Sequence, residues 1–369
     1  MQNGNDKCFG QGKLFGIYTK GNFVMRLDYC RLDVLKKHIG GICVAFLMFL
    51  CCGFSAQAKN VSVVDFGGVP GDPADDTAAF NQAIESVSNA GGGVVKVPAG
   101  HYYITASRAI NEGICLRDNV ELRMSTAAVL EVIPNSRDDY HVFNVYGCNN
   151  VKLIGGQLKG EKNRHQGVGG EFGHGIYVRD SSNVTIFNMK IEDNWGDGIY
   201  LGTLNDYDDV YGCNKITIKN CTIKGNRRNN ISIVDADNVN IVGCKIKNAK
   251  GTAPQAGIDI EPNVRNGGYI KPDQVCRNIT IKNTKITCVK KNSSNYFAIL
   301  LINNWFAIGE NCTVANNVKI KNCNLQGACG IYSGKNVTFS NSKISGTLIY
   351  LKKAKTKNTT YKKKTKWQG

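Results

Sequence analysis

Three carboxylates stand out by residue type and spacing: Asp197, Asp259 and Glu261. Each lies in or beside a short segment of one recurring kind. That recurrence brings them onto neighbouring turns of a stacked structure. Paired carboxylates are what glycoside hydrolysis requires. One acid protonates the leaving oxygen, and the other activates water or attacks carbon. His174 stands at the entrance to its own copy of the segment, as Asp197 does, and Arg228 enters the next copy. These five form the candidate catalytic set. Tyr177, Arg179, Trp195, Tyr200 and Arg227 are the candidates for substrate binding, because sugar rings stack on aromatics and acidic sugars attract cations. The plainer reading of Gly196-Asp197-Gly198 is a turn, where Asp is common without any catalytic role.

Other chemistries suit the same residues. Elimination beside a carboxylate needs a base and a cation that neutralises the acid. Asp193 and Asp197 are four apart, and with Asp259 and Glu261 they could hold Ca²⁺, a hard cation that prefers oxygen ligands. Arg228 or His174 would then act on the proton. No calcium-loop motif occurs, so neither metal nor cofactor is expected outside this lyase reading. A non-catalytic glycan-binding protein is the third reading.

The recurring segment has four clear copies: His174-Gly175-Ile176-Tyr177-Val178, Asp197-Gly198-Ile199-Tyr200-Leu201, Asn229-Asn230-Ile231-Ser232-Ile233 and Ala256-Gly257-Ile258-Asp259-Ile260. Later copies begin at Phe297 and Cys329. With the central isoleucines inward, strand alternation turns Tyr177, Tyr200, Ser232 and Asp259 outward. Arg179 and Glu261, two residues on, share that face. The stretches Glu161–Gly173, Thr203–Gly212 and Pro262–Gln274 are expected to wall a groove.

A longer repeat must position these segments. Seven stretches begin at Val151, Val184, Ile216, Val239, Ile279, Val318 and Val337, and each has further apolar residues two and seven positions on. Alternation at period two marks a strand with one buried face. Four positions after each start comes Gly155, Asn188, Asn220, Gly243, Asn283, Asn322 or Asn341. Asn and Gly tolerate left-handed backbone, so this position is a turn. A second Asn column precedes each start, with Lys215 as its exception. The starts are 33, 32, 23, 40, 39 and 19 residues apart. A solenoid tolerates such variation because extra residues leave as loops.

Fifteen cysteines suggest a disulfide framework at first sight. Their positions instead follow columns of small residues, where cysteine acts as a small buried hydrophobe. A bridge between adjacent coils, Cys221 with Cys244, is the alternative. No C-x-x-C pair occurs after residue 58, so zinc is not expected.

The apolar run Ile42–Phe54 follows Lys36-Lys37-His38 and ends at Ala56-Gln57-Ala58. That pattern reads as a secretory signal peptide, with Met25 an alternative start, and the run is short for a membrane span. The net charge is +17, and Leu351–Gly369 contributes eight Lys and no acid. This Lys tail shows no apolar alternation after Tyr350 and is expected to stay peripheral and unpacked. For an exported basic protein, a polysaccharide, acidic ones included, is the expected partner. Neither nucleic acid nor a stable membrane span is expected.

The region after the signal reads differently. Val61–Phe66 is strand-like, Asp76–Ile84 reads as a helix with an acidic start, and Val94–Ile104 is a strand, a turn and a strand. Val64-Asp65-Phe66-Gly67, Asp75-Asp76-Thr77-Ala78-Ala79 and Gly92-Gly93-Val94-Val95-Lys96-Val97-Pro98-Ala99-Gly100 together resemble the opening of pectate-lyase-superfamily proteins. That group includes polygalacturonase-like hydrolases, lyases, epimerases and phage tailspikes. The resemblance covers residues 61–350 and implies an all-β fold, a single-stranded right-handed parallel β-helix with an N-terminal helical cap. The polygalacturonase pattern is incomplete. Gly173-His174-Gly175 matches one element but precedes Asp197, and no Asp-Asp pair or Arg-Ile-Lys element occurs where that family has them. The family's catalytic roles are therefore not carried over.

The resulting expectation has four regions: a signal and pre-segment at 1–58, a cap at 59–110, the β-helix at 111–350 and the Lys tail at 351–369. The expected function is an exported polysaccharide-degrading hydrolase. Alternatives are a lyase or epimerase acting on uronic-acid glycans, or a tailspike-like glycan-binding protein.

Overall fold

A computed structural model describes residues 58–106, 113–202, 212–262, 276–289, 296–302, 315–350 and 354–366. The signal segment and most of the stretches Thr203–Gly212 and Pro262–Gln274 lie outside the described residues.

The described chain is a solenoid of parallel strands. One 11-stranded sheet carries the repeat starts. An 18-stranded sheet carries both the third apolar column and the recurring segments. The register follows the repeat residue for residue. Val151 pairs with Val184, Val184 with Ile216, Ile216 with Val239, Val239 with Ile279 and Ile279 with Val318. Leu158, Ile191, Ile223, Ile246, Ile286, Leu325 and Ile344 stack likewise. Their side chains fill one continuous core. Each buried Val, Leu or Ile contributes roughly 1.5–3 kcal/mol, so the ladders dominate stability.

The turns have the expected conformation. Asn150, Asn183, Asn238, Asn278, Asn317 and Asn336 have φ between 52° and 60°, and Lys215 shares it at 55°. Asn188, Asn220, Asn283, Asn322 and Asn341 have φ between 47° and 55°. Their amides bond along the columns: Asn317 Nδ2 donates to Asn278 Oδ1 at 2.7 Å, and Asn322 Nδ2 to Asn283 Oδ1 at 3.2 Å. The nine described cysteines are free thiols, eight of them buried. Cys221 and Cys244 are hydrogen-bonded neighbours on adjacent coils, and that contact with burial raises the Cys221 thiol.

Three local expectations need revision. The strand that starts the fold is Lys59–Ser62, and Val63–Phe66 is a 3₁₀ turn. Ser62 and Asp65 close a reciprocal capping box there, which outcompetes the strand. The helix spans Thr77–Asn89 and buries Phe80, Ile84 and Val87 against the first strands. Asp76 does not cap it. Its carboxylate instead accepts the N–H groups of Val69 at 2.9 Å and Tyr103 at 3.0 Å. The Lys tail, finally, is paired rather than unpacked. Lys355–Lys357 adds to Thr338–Ser340, and Thr360–Lys366 adds to Lys343–Tyr350. Parallel pairing uses backbone groups alone, so it needs no apolar alternation where side chains stay in water.

Candidate functional site

Four strands present the site: Phe172–Arg179, Ile199–Gly202, Ile231–Ile233 and Ile258–Ile260. Ile176, Ile199, Ile231 and Ile258 stack in register and are fully buried. Tyr177, Tyr200, Ser232 and Asp259 form the adjacent outward column. That column is nonetheless covered, with Tyr177 only 9% and Asp259 2% exposed. The glycines beside Asp197 serve close packing of coils. A Cβ on Gly196 would sit 2.7 Å from the Glu171 carbonyl oxygen, and one on Gly198 2.5 Å from Asn226 Nδ2.

Asp197 is fully buried. Its Oδ1 accepts the Asn229 backbone N–H at 2.8 Å. Its Oδ2 accepts the Ser232 hydroxyl at 2.8 Å and Arg228 Nη1 at 3.1 Å. Burial raises its pKa, but Arg228, the Asn229 N–H and Ser232 all favour the charged form. The Asp197 N–H donates to His174 Nδ1 at 3.1 Å, which puts the proton of a neutral imidazole on Nε2. Burial, and then the Arg228 charge, push His174 down to about 3.

Asp259 occupies a different environment. Its Oδ2 accepts from Asn229 Nδ2 at 3.0 Å, while its buried Oδ1 has no hydrogen-bond partner among the described residues. Burial first, and then the neighbouring Glu261 charge, raise it well above the ordinary carboxylate range. Glu261 is half-buried and raised by the same burial. Asn229 Nδ2 also donates to Ser232 Oγ at 3.0 Å. Contacts of 2.8, 3.0 and 3.0 Å thus link Asp197, Ser232, Asn229 and Asp259. The two near carboxylate oxygens therefore lie inside the roughly 9.5 Å outer limit of a catalytic pair. Arg228 also approaches Glu171 Oε2 at 3.4 Å. Burial alone would lower Arg228, but Asp197 and Asp259 outweigh it and hold the guanidinium above its ordinary value.

The five candidates for sugar contact are engaged with the protein itself. His165 stacks on Trp195 at 3.7 Å and the Arg227 guanidinium lies 3.8 Å from its ring centre, so both faces of the indole are covered. Trp195 Nε1 donates to the Gly169 carbonyl at 2.9 Å, and Arg227 Nη1 to that of Gly170 at 2.7 Å. Tyr177 stacks on His141 at 4.2 Å, and Tyr200 on His174 at 4.7 Å. Arg179 bonds Asp180 at 3.1 Å and covers Tyr146 at 3.9 Å. Burial explains the difference: alternation tells which face a side chain takes, not what covers it, and His165, Gly169 and Gly170 of the loop at 161–171 cover Trp195 and Arg227. Glu171, beside Arg228 with a side chain 48% exposed, and its neighbour Phe172, 48% exposed and edge-on to His174, are open groups here.

Asp193 belongs to a left-handed turn, with φ 56°, and faces Lys162 at 4.0 Å. Among the described residues no cluster of three or more His, Cys, Asp or Glu is placed to hold a metal.

Asn229, Ser232, Glu171 and the asparagines behind them were not among the sequence candidates. Asn226 Oδ1 accepts from the Asn194 side chain at 2.8 Å, and Asn226 Nδ2 donates to Asn230 at 2.8 Å. The available signal was positional. Asn194 and Asn226 each stand five residues before an inward isoleucine, and Asp197 and Asn229 each stand two before. A second buried group lies beneath the loop, where Glu161 bonds Tyr140 and meets His165 Nδ1 at 2.8 Å.

Known proteins share this architecture. A family described as the right handed beta helix region matches residues 101–266, and one described as rhamnogalacturonase A/epimerase, pectate lyase-like, matches residues 60–122. Two uncharacterized Bacillus subtilis proteins, YclG and the prophage-derived YorA, are 36% and 32% identical over 220 and 215 residues. Those matches take in 54% and 53% of this chain but only 38% and 37% of the relatives' own lengths. Among solved structures, the A-module of an Azotobacter vinelandii mannuronan C-5 epimerase matches with TM-score 0.60 at 16% identity, over 81% of this chain and 76% of that one. A tailspike of an Acinetobacter baumannii bacteriophage, a capsular polysaccharide depolymerase, matches with TM-score 0.54 at 16% identity, over 83% and 57%. An iota-carrageenase from A. fortis matches with TM-score 0.54 at 18% identity, over 77% and 58%. The two family matches together run from residue 60 to 266, and over that stretch the chain is similar to the pectate-lyase-like superfamily of right-handed parallel β-helices.

Proposed function

We propose that this protein is an exported polysaccharide-degrading enzyme that hydrolyses glycosidic bonds with Asp259 as the acid and Asp197 as the base. The observation that carries this reading is the split between the two carboxylates. Asp197 has a cation, a hydroxyl and a backbone N–H around it. Asp259 has one amide donor, a neighbouring acid and a bare buried oxygen. Environments that push two acids apart in proton affinity assign one to donate and the other to accept. Arg228 favours the charged form of Asp197 against the burial that raises it, and Asn229 holds both carboxylates through its backbone and side chain. On this reading a glycan reaches the buried pair past Arg228 and its partner Glu171, and Phe172 offers an exposed ring for a sugar. The polysaccharide-active proteins that share the fold support the substrate class.

The test is Asp259→Asn. The amide keeps the shape and can still accept from Asn229, so folding should survive. Turnover of a responsive polysaccharide should fall by on the order of a hundredfold or more, the usual worth of a positioned acid. A variant with full turnover would remove Asp259 from the chemistry.

A further inference from the structure

The charge of this chain is strongly polarised along the solenoid. Residues 276–369 hold 17 Lys and Arg and a single acid, Glu310, while the net charge of the whole chain is +17. The candidate carboxylates all lie before this region.

Parallel register turns that composition into rows. On the 11-stranded sheet Lys282 pairs directly with Lys321, and Lys357 follows in the same column after Ser340. Across the Asn turn, Lys245 pairs directly with Lys285, and Lys343 follows after Asn324. Lys245, Lys285, Lys321, Lys343 and Lys357 are exposed, and Lys282 is half-buried. Among the described residues none of the six is paired with a carboxylate. Earlier coils treat lysine differently: Lys190 and Lys224 share Glu192 at 2.8 and 2.7 Å, and Lys159 meets Glu131 at 3.2 Å.

Like charges directly opposite each other on neighbouring strands destabilise a sheet. Lysine on a final strand has a simple structural use, because it discourages further strands from adding there. That accounts for Lys362–Lys366 and not for Lys245, Lys282, Lys285 and Lys321, which sit on interior coils. We infer that the two lysine rows flanking the Asn turn form a binding surface for a linear anionic glycan lying along the solenoid axis, separate from the carboxylate site. The direction follows from the rows, whose charges recur at multiples of the roughly 4.8 Å coil spacing. The chemistry of the partner follows from what surrounds them. Outward neighbours on these coils are Thr280, Asn283, Thr287, Asn322, Asn324 and Gln326, suited to sugar hydroxyls. Arg277 is committed to Asp237 at 2.7 Å, and among the described residues the outward neighbours of Lys282, Lys285 and Lys321 are amides and hydroxyls rather than the aromatics on which nucleobases stack, Tyr361 being exposed on the terminal strand. The choice of a glycan rests on the function proposed above; the presence of a polyanion surface does not.

The experiment reads binding of the full chain to immobilised polygalacturonate, with duplex DNA and neutral dextran as comparison polymers. All proteins carry Asp259→Asn, so turnover plays no part. Polygalacturonate should bind and release with added salt, and dextran should not bind. Combined Lys282→Gln, Lys285→Gln, Lys321→Gln and Lys343→Gln should weaken binding about tenfold or more at low salt with a melting temperature no lower than the parent's. Neutralising Lys362, Lys363, Lys364 and Lys366 instead should cost less. Binding within twofold of the parent after the interior change, or complete loss with the terminal change alone, overturns the surface. DNA binding as tight as polygalacturonate at equal charge overturns its assignment to a glycan.

Discussion

At Asp197 the structure changes which substitution is informative. From sequence alone Asp197→Asn is the natural probe, since the amide is nearly isosteric. Its carboxylate, however, is the buried partner of Arg228 at 3.1 Å. Removing one member of such a pair typically costs about 3–5 kcal/mol, because the other charge stays behind. Asp197→Asn should therefore lower stability markedly as well as activity, whereas Asp259→Asn should lower activity alone. Thermal melts of both variants check this, and equal melting temperatures would contradict the pairing. His174 gives a pH-dependent counterpart. Its folded pKa lies below its unfolded value, so the unfolded chain binds the extra proton first. Its contribution is present above about pH 6.5 and is lost as pH falls toward about 3, at roughly 1.4 kcal/mol per unit. His174→Asn should flatten the acid side of the stability profile, read from denaturant melts between those limits. The positions of Asp197, Asp259 and Arg228 were legible because each is fixed by its offset from an inward isoleucine. The covering of Trp195 was not, since His165 arrives from a loop thirty residues earlier and its path leaves no periodic trace.

Among the elements, the two Asn columns are where sequence and backbone agree most closely. The same turn recurs on every coil, so the same φ recurs, and residues that tolerate it accumulate. Lys215 is the test case. It holds φ 55° in a column otherwise made of Asn. A left-handed conformation costs a residue such as Lys roughly 1–2 kcal/mol, and Asn less. Lys215→Asn should raise stability by about 1 kcal/mol, and Asn283→Ala should lower it by a similar amount. A Lys215→Asn protein that melts below the parent would contradict this account of the column. The opening 3₁₀ turn at Val63–Phe66 escaped the strand pattern because a capping box of two side chains decided it. Such local competition between side chain and ladder is invisible to hydrophobic alternation.

For the whole molecule, stability should behave as a stack in which each coil rests on its neighbours. The C-terminal strands Lys355–Lys357 and Thr360–Lys366 are part of that stack. Deleting Lys352–Gly369 would strip Ala354 from the core and leave the preceding coil, with Phe339 and Ile344, as an open end. We expect a lower melting temperature on deletion; no change would show that these strands contribute nothing. Sequence reading missed them because a solvent-facing terminal coil can be held by backbone pairing alone, with no apolar pattern.

The central claim is that the molecule cuts polysaccharide by hydrolysis. It is tested most directly by product analysis over a panel of uronic-acid and sulfated polysaccharides, with reducing ends and the ultraviolet absorbance of an unsaturated uronate followed together. Hydrolysis by the Asp259–Asp197 pair predicts new reducing ends with no such absorbance, and loss of the reducing-end signal in Asp259→Asn. Absorbance rising in step with the reducing ends would mean elimination and would contradict the acid–base assignment.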